Sequence, residues 1–410
     1  MLRSTLTFVA LCGVSSCFQG CHSTDGLTPP DPKTPWVPPP SVGLGFEPPV
    51  LPSLDDFGPM GVGDCLAQAL EHQPQTRRFW NQALAQAAYH QEQKATLLPT
   101  GGLTAGVEQQ DMQFKSTANL SKSKVDQTLK GAGVNLQWVL FSFGARTALI
   151  EGALHGLYGA NFRYNQALQD MALNVQMSYY ELQSAKAQLV ASKARRSEAE
   201  STLDAVQTKF LTGLADQQER FRAQAEYASA NYTLQAAYGL VENARAQLAQ
   251  AMGVKVHQGL DVLEPELDTH EPEALAPIEE WLQDAMANRP VLKQAYQDWQ
   301  RLESESKAAK SAILPQVVAT AGASRYSGIE NGLRPDRETA IGIGIQWQIF
   351  DFFQDQAKAL QMRHQADAAK AAYESQQLAI ASEVWQSFYS YKAANAQMQA
   401  ANEFVLSAKV

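Results

Sequence analysis

The chain has 410 residues, 45% hydrophobic and 18% charged, enough apolar material for two or three domain-sized cores and too much for disorder throughout. Its 33 Lys+Arg against 42 Asp+Glu leave a net charge of −9, which argues against a nucleic-acid binder. Four cysteines, three of them before residue 22, are too few for a disulfide framework or a cysteine-built zinc site. No apolar run of transmembrane-helix length follows the N-terminus. Composition leaves a membrane β-barrel open, because alternating strands keep average hydropathy low.

Residues 1–16 read as a secretory signal, with Arg3 as a short positive region and Leu6 to Val14 as the apolar stretch. Val14-Ser15-Ser16-Cys17 is similar to a bacterial lipobox, and lipidation is expected at Cys17; Cys21, preceded by Phe18 and Gln19, is the poorer alternative. An ordinary cleaved signal with incidental cysteines is the plain rival. Residues 22–60 hold eleven of the nineteen prolines, including Pro38-Pro39-Pro40. Such a stretch lacks backbone donors and resists packing, so 17–60 is expected as an extended, lipidated tether.

A first repeat is expected over 61–254, a linker over 255–274 and a second repeat over 275–410. In the first, a short helical piece (Asp64 to Gln73) precedes a Gly-free, Pro-free helix from Gln75 to Leu98, which Pro99 ends. A strand begins near Leu103. A polar segment containing Lys115, Lys122, Lys124 and Asp126 is expected as a loop. The next strand alternates, with Ala132, Val134, Leu136, Trp138 and Leu140 on one face and Gly133, Asn135 and Gln137 on the other.

From Ala145 to Leu211 there is no proline, and the three glycines (Gly152, Gly156, Gly159) fall in the first turns. That length is far beyond the ~11–12 residues of an average globular helix and requires other long helices alongside. Leu168, Met171, Val175, Ser178, Leu182, Ala185, Leu189 and Ser192 follow a 3-4 spacing. Arg196 interrupts this seam, and Ala199, Leu203, Val206 and Phe210 resume it. Gly213 supplies a left-handed C-terminal residue and Asp216 an N-cap, so the chain reverses and returns as a helix to Met252, closed by Gly253. The returning helix and the earlier one (Gln75 to Leu98), stacked end to end, nearly match the single long helix.

The second half repeats the first. Gly133, Gln137, Trp138 and Phe141 recur 209 positions on as Gly342, Gln346, Trp347 and Phe350. Pro74 and Leu98-Pro99 recur 216 positions on as Pro290 and Leu314-Pro315. Ile341, Ile343, Ile345, Trp347 and Ile349 face one way; Gly342, Gly344, Gln346 and Gln348 face the other. Alternation over nine or ten residues suits a membrane-crossing strand, apolar to lipid and polar to a lumen; aromatic clusters at the strand ends suit an interfacial girdle. A sandwich strand is the general alternative. Four strands cannot close a barrel in lipid, so strands from two or more chains are required.

The Leu97–Pro99 and Ile313–Pro315 junctions, LQWVLFSFG at 136–144, IQWQIFDFF at 345–353, SYYELQSAKAQL at 178–189 and KFLTGLAD at 209–216 together resemble the TolC-like outer-membrane efflux proteins over residues 61–410. The family's Phe-x-Gly junction is met by Gly144 in the first copy and departed from at Phe353-Gln354 in the second. The resemblance implies a mainly α protein with transmembrane β: long helical hairpins forming a periplasmic α-barrel, and four strands per chain in a homotrimeric, twelve-stranded outer-membrane barrel. It implies that the tip at Thr212, Gly213, Leu214 and Ala215 docks a periplasmic adaptor joined to an inner-membrane pump. It further implies an exit duct for small molecules or secreted proteins. Lipidated N-termini occur in a branch of this family. The second tip would fall near position 422, so the second repeat is expected to be incomplete. A non-conducting envelope stalk and a truncated, nonfunctional remnant are the rivals.

No catalytic constellation stands out. Gly131-Ala132-Gly133 and Gly342-Ile343-Gly344 precede no nucleotide-binding turn. His72, His90, His155, His257, His270 and His364 are scattered without metal-ligand spacing. Neither an enzyme activity, a cofactor nor a metal is expected.

Overall fold

Proline and glycine set the boundaries of nearly every element. The computed structural model describes residues 58–115, 122–256, 259–264, 276–327 and 336–408. The expected signal, Cys17, Cys21 and the tether up to residue 57 lie outside the described residues, as do 257–258 and 265–274 of the expected linker and the first residue, 275, of the expected second repeat.

The elements run in chain order as α1 (Val62–His72), α2 (Pro74–Ala95), β1 (Thr100–Lys115), β2 (Lys122–Phe141), α3 (Ala145–Leu211) and α4 (Gln217–Met252). They then repeat as α5 (Ile278–Asn288), α6 (Pro290–Ala312), β3 (Gln316–Ser327), β4 (Arg337–Gln346) and α7 (Gln354–Ala408). Pro74 and Pro290 each stand at the first turn of a helix, where the missing N–H costs nothing. Among the described residues no helix is long and apolar enough to cross a membrane.

The single helix α3 has 67 residues, as its freedom from proline predicts. It packs against α2, α4 and α6, and α6 in turn against α7. Its N-terminal turns approach α6 closely: a Cβ on Gly152 would stand 3.4 Å from the carbonyl oxygen of Arg301. The expected end-to-end stacking of α4 and α2 is present. Gln73, immediately before α2, donates its side-chain amide to the carbonyls of Gln250 and Ala251 at 3.2 and 2.8 Å. Gly253 ends α4 with φ +74°, and a Cβ there would stand 2.8 Å from Cα of Gln73, so only glycine fits both the conformation and the space.

The main core lies where α1, the middle of α3 and the end of α4 meet. Cys65, Ala69, Val175, Leu182, Leu248, Ala249 and Met252 are buried there, and burial of each large apolar side chain contributes about 1.5–3 kcal/mol. Leu260 and Val262, within the stretch expected as linker, close this core: Val262 pairs with Met60 in a parallel bridge, and Lys186 binds Asp261 at 2.8 Å. The Cys65 thiol is pushed up to about 11 by burial first and by the neighbouring Asp64 carboxylate second. The α3 seam passes from Met171 and Val175 to Tyr179 rather than Ser178, then on through Leu182, Ala185 and Ser192. Where Arg196 interrupts it, the guanidinium reaches the Tyr227 hydroxyl of α4 at 3.1 Å and Glu200 at 3.2 Å.

Candidate functional site

The four strands form one antiparallel sheet in the order β1-β2-β3-β4. Residues paired across an antiparallel ladder point to the same face, so the register decides which side chains stand together. Val134 lies between Leu103 and Ala323, Leu136 between Gly101 and Ala321, and Ala319 between Trp138 and Ile343. Ala321 pairs onward with Ile341, and Val317 with Ile345. The apolar alternations of β2 and β4 therefore fall on one common face, and β3 adds alanines and a valine to it. Ile341, Ile343 and Ile345 are 85%, 74% and 75% exposed, so nothing among the described residues of a single chain covers them.

The opposite face carries Gly102, Thr104, Gly131, Gly133, Asn135 and Gln137 from β1 and β2. From β3 and β4 it carries Thr320, Gly322, Ser324, Gly342, Gly344 and Gln346. Small and polar side chains leave room and hydrogen-bonding capacity there. Away from the helices the apolar face ends in charge: Arg325 pairs with Ala132 and Arg337, and Lys130 with Val107 and Ser327.

Three details differ from the sequence reading. Leu140 does not continue the apolar row: the register shifts between Val139 and Phe141, leaving Leu140 as the bulged residue and placing Phe141 opposite Val317. Trp347, Gln348 and Ile349 lie past the end of β4, because the partner strand starts at Gln316, behind Pro315, which has no N–H to donate. And the polar stretch expected as a loop is largely strand, with β1 and β2 paired out to Lys115 and Lys122. A hairpin ladder satisfies backbone groups whatever the side chains, so polarity alone does not end it.

Each strand-to-helix junction is tied by a tryptophan. Trp138 Nε1 donates to the Leu97 carbonyl at 2.8 Å, and Trp347 Nε1 to the Ile313 carbonyl at 3.1 Å, the first residue of each Leu/Ile-Leu-Pro motif. The duplicated spacing of tryptophan and proline is the sequence signal for this contact. Behind the tryptophans the backbone turns through the left-handed region in both copies. Phe143 and Gly144 have φ +49° and +88°; Phe352 and Phe353 have +53° and +68°. Aromatic rings crowd this level, with Phe141 and Phe143 edge-on at 4.7 Å and Phe350 against Phe352 at 6.4 Å.

At the far end of α3 the chain reverses at Thr212, Gly213, Leu214 and Ala215. Gly213 has φ +77°; its N–H reaches the Phe210 carbonyl at 3.1 Å, while that of Leu214 reaches the Lys209 carbonyl at 2.8 Å. This is the Schellman closure. Asp216 then caps α4 by accepting from the Glu219 N–H at 2.7 Å. The Arg220 guanidinium sits 4.5 Å from the Phe210 ring and 5.3 Å from Phe221, clamping the two helices just below the turn. Leu211 and Leu214 are each 80% exposed.

This arrangement, a two-faced sheet on a shaft of long helices, has close counterparts. The profile of the outer membrane efflux proteins matches residues 65–254 and 281–409. The chain belongs to that family. It is an outer-membrane efflux channel protein with a helical extension into the periplasm. Protein CyaE of Bordetella pertussis is 26% identical over 388 residues, covering 93% of this chain and 78% of that protein. The fold is shared with the outer membrane protein VceC of Vibrio cholerae (TM-score 0.73, 16% identity, 85% of this chain and 83% of that one). The outer-membrane channel OprN also shares it (TM-score 0.72, 17% identity, 82% of this chain and 75% of that one).

Proposed function

We propose that three copies of this chain close their sheets into one twelve-stranded barrel, forming a passive exit duct for small molecules or secreted proteins. The observation that carries this reading is the register: four strands gather one continuous apolar face and one glycine-rich polar face. In a barrel the first meets lipid (Val134, Leu136, Trp138, Ile341, Ile343 and Ile345) and the second lines water (Asn135, Gln137 and Gln346). The order of the sheet supports an oligomer, since β1 and β4 are its outer strands among the described residues. Unpaired ladder groups cost several kcal/mol each in hydrocarbon, and neighbouring copies remove both edges.

The helical tip, with Leu211 and Leu214 thrust into solvent, is the proposed docking surface for a periplasmic adaptor that links the duct to an inner-membrane pump. Residues 61–254 and 275–410 act as the two repeats. Cys17 is the proposed lipid anchor, with Cys21 as the alternative. Energy then comes from the pump, and the duct adds only the coarse ion preference of its lining.

The purified oligomer in planar bilayers tests the duct: discrete openings are expected, and a silent bilayer refutes it. Ile343→Arg is expected to abolish membrane assembly, at a cost of about 2–4 kcal/mol near the bilayer midplane. Gly344→Arg, on the opposite face with nothing within 4 Å of its added Cβ, is expected to assemble and to change conductance. The opposite pattern overturns the assignment of faces.

A further inference from the structure

The apolar face of the sheet ends in different chemistry at its two ends. At the helical end stand the tied tryptophans and their phenylalanines. At the other end stand Lys130, Arg325 and Arg337, on the same face and all exposed. Along β2, Lys130 is eight residues from Trp138. At about 3.3 Å per residue and a strand tilt of about 35–45°, that separation rises about 20 Å, close to the ~25 Å apolar band of an outer-membrane barrel. The basic row therefore stands where the second interface falls, on the side away from the periplasmic helices.

Its geometry gathers positive charge. Arg325 is directly opposite Arg337, and Lys130, opposite Ser327, is diagonal to Arg325. Directly opposed side chains have Cβ atoms about 4.5–5.5 Å apart and diagonal ones about 7–8 Å, and like charges so placed repel. Among the described residues none of the three pairs with a carboxylate. Glu108 and Glu338 alternate onto the opposite face, and Asp336 lies just before β4. Asp111, on the same face, is four residues beyond Val107, about 13 Å along the strand. Apolar hollows adjoin the cations. One of about 570 Å³ is lined by Ala105, Val107 and Ala132 together with Lys130 and Arg325. Another, of about 290 Å³, lies over Val134 and Ala323 beside Arg325 and Arg337.

We propose that this basic rim binds phosphate-bearing lipids of the outer leaflet. The headgroup phosphate sits among Arg325, Arg337 and Lys130, and the acyl chains run down the hollows over Ala132 and Ala323. Each guanidinium offers a planar fork that matches two phosphate oxygens, and the lysine adds a point charge. A free phosphate ion would answer the charges but leave the adjoining hollows unfilled. The proposal rests on the reading that the apolar face meets lipid, and adds to it a preference among lipids.

The test reconstitutes the full chain in phosphatidylcholine vesicles and compares spin-labelled phosphatidic acid with spin-labelled phosphatidylcholine in the motionally restricted shell around the protein. A preference of at least about fivefold for the phosphate lipid is expected. Arg325→Gln with Arg337→Gln is expected to lose most of it, and Arg325→Lys with Arg337→Lys to keep most of it. Glu338→Gln, on the opposite face, is expected to change nothing. Lys130→Gln, which leaves both arginines, is expected to lose a smaller part, and it carries the test where the double glutamine variant does not insert. Insertion with equal restriction of both lipids overturns the proposal and leaves the lipid-facing sheet standing, whereas failure to insert with no restricted shell overturns both. An unaltered preference in the glutamine variants also overturns the proposal. So does loss of the preference on adding millimolar inorganic phosphate at constant ionic strength, because the rim would then take the free ion.

Discussion

Among the described residues the first repeat and the second build one architecture from differently exposed side chains. Leu182 and Tyr391 occupy the same position of the repeat, yet Leu182 is fully buried and Tyr391 is 47% exposed. At the strand-to-helix junction the first copy places Gly144 at φ +88°, and the second places Phe353 at φ +68°. The first junction is held by Arg146, which spans from the start of α3 to the Thr96 carbonyl at the end of α2 at 2.9 Å. The second is held within its own turn: Asp351 accepts from the N–H groups of Phe353 and Asp355 at 3.0 and 2.8 Å. Backbone shape is thus conserved between the halves while the means of stabilising it are exchanged. A glycine and a long-range arginine do in one what a local aspartate cap does in the other.

Core substitutions give the largest expected contrast. Leu182→Ala should destabilise by about 2–5 kcal/mol, because it leaves a cavity among fully buried neighbours. Tyr391→Ala, at the matching position, should cost less than about 1 kcal/mol, since its side chain is half exposed among the described residues. Thermal unfolding of the helical signal measures both, and equal losses would show that the second core is as closed as the first. The same core predicts an alkaline limit. Cys65, held at about 11 against an ordinary value of 9.0, keeps its proton more tightly when folded than when unfolded. Its contribution is intact below pH 9 and is lost as pH rises from 9 through 11. Cys65→Ala should flatten that part of the pH-stability curve, and thiol reagents should label Cys65 slowly at pH 8.

The junctions give the next contrast. Asp351→Ala removes both cap bonds and should cost about 0.5–2 kcal/mol. Phe353→Gly should stabilise by about 1 kcal/mol, relieving a bulky residue from the left-handed region. Gly144→Phe in the first copy should do the reverse. If Phe353→Gly destabilises instead, its ring contributes packing that outweighs the backbone strain.

How far the sequence could be read follows from which physical signals are local. The ends of α3, Ala145 and Leu211, were legible because Gly144 and Gly213 bracket a proline-free run, and Asp216 was legible as a cap from its type and place. The faces of β2 and β4 were legible because isoleucine, valine and tryptophan alternate with glycine and glutamine. The faces of β1 and β3 were not, because Ala319, Ala321 and Ala323 carry little hydrophobic contrast against Thr320 and Gly322. Only pairing assigns them. Leu140 and Ile349 were misread for a related reason: alternation is a property of one strand, while a bulge or a strand end is fixed by the partner.

The tryptophan ties probe the feature the two repeats share. Both Nε1–H groups reach a carbonyl just after a helix ends, where intrahelical partners have run out. Trp138→Phe and Trp347→Phe keep most of the ring and remove only the donor, so each should cost about 0.5–1.5 kcal/mol. The two losses should be similar, because the contact is the same in both copies. Amide exchange across 96–100 and 313–316 should quicken in the corresponding variant alone. A loss at Trp138 without one at Trp347 would mean that the exposed second junction already lets water satisfy the Ile313 carbonyl, and the symmetry would then be one of geometry but not of energy.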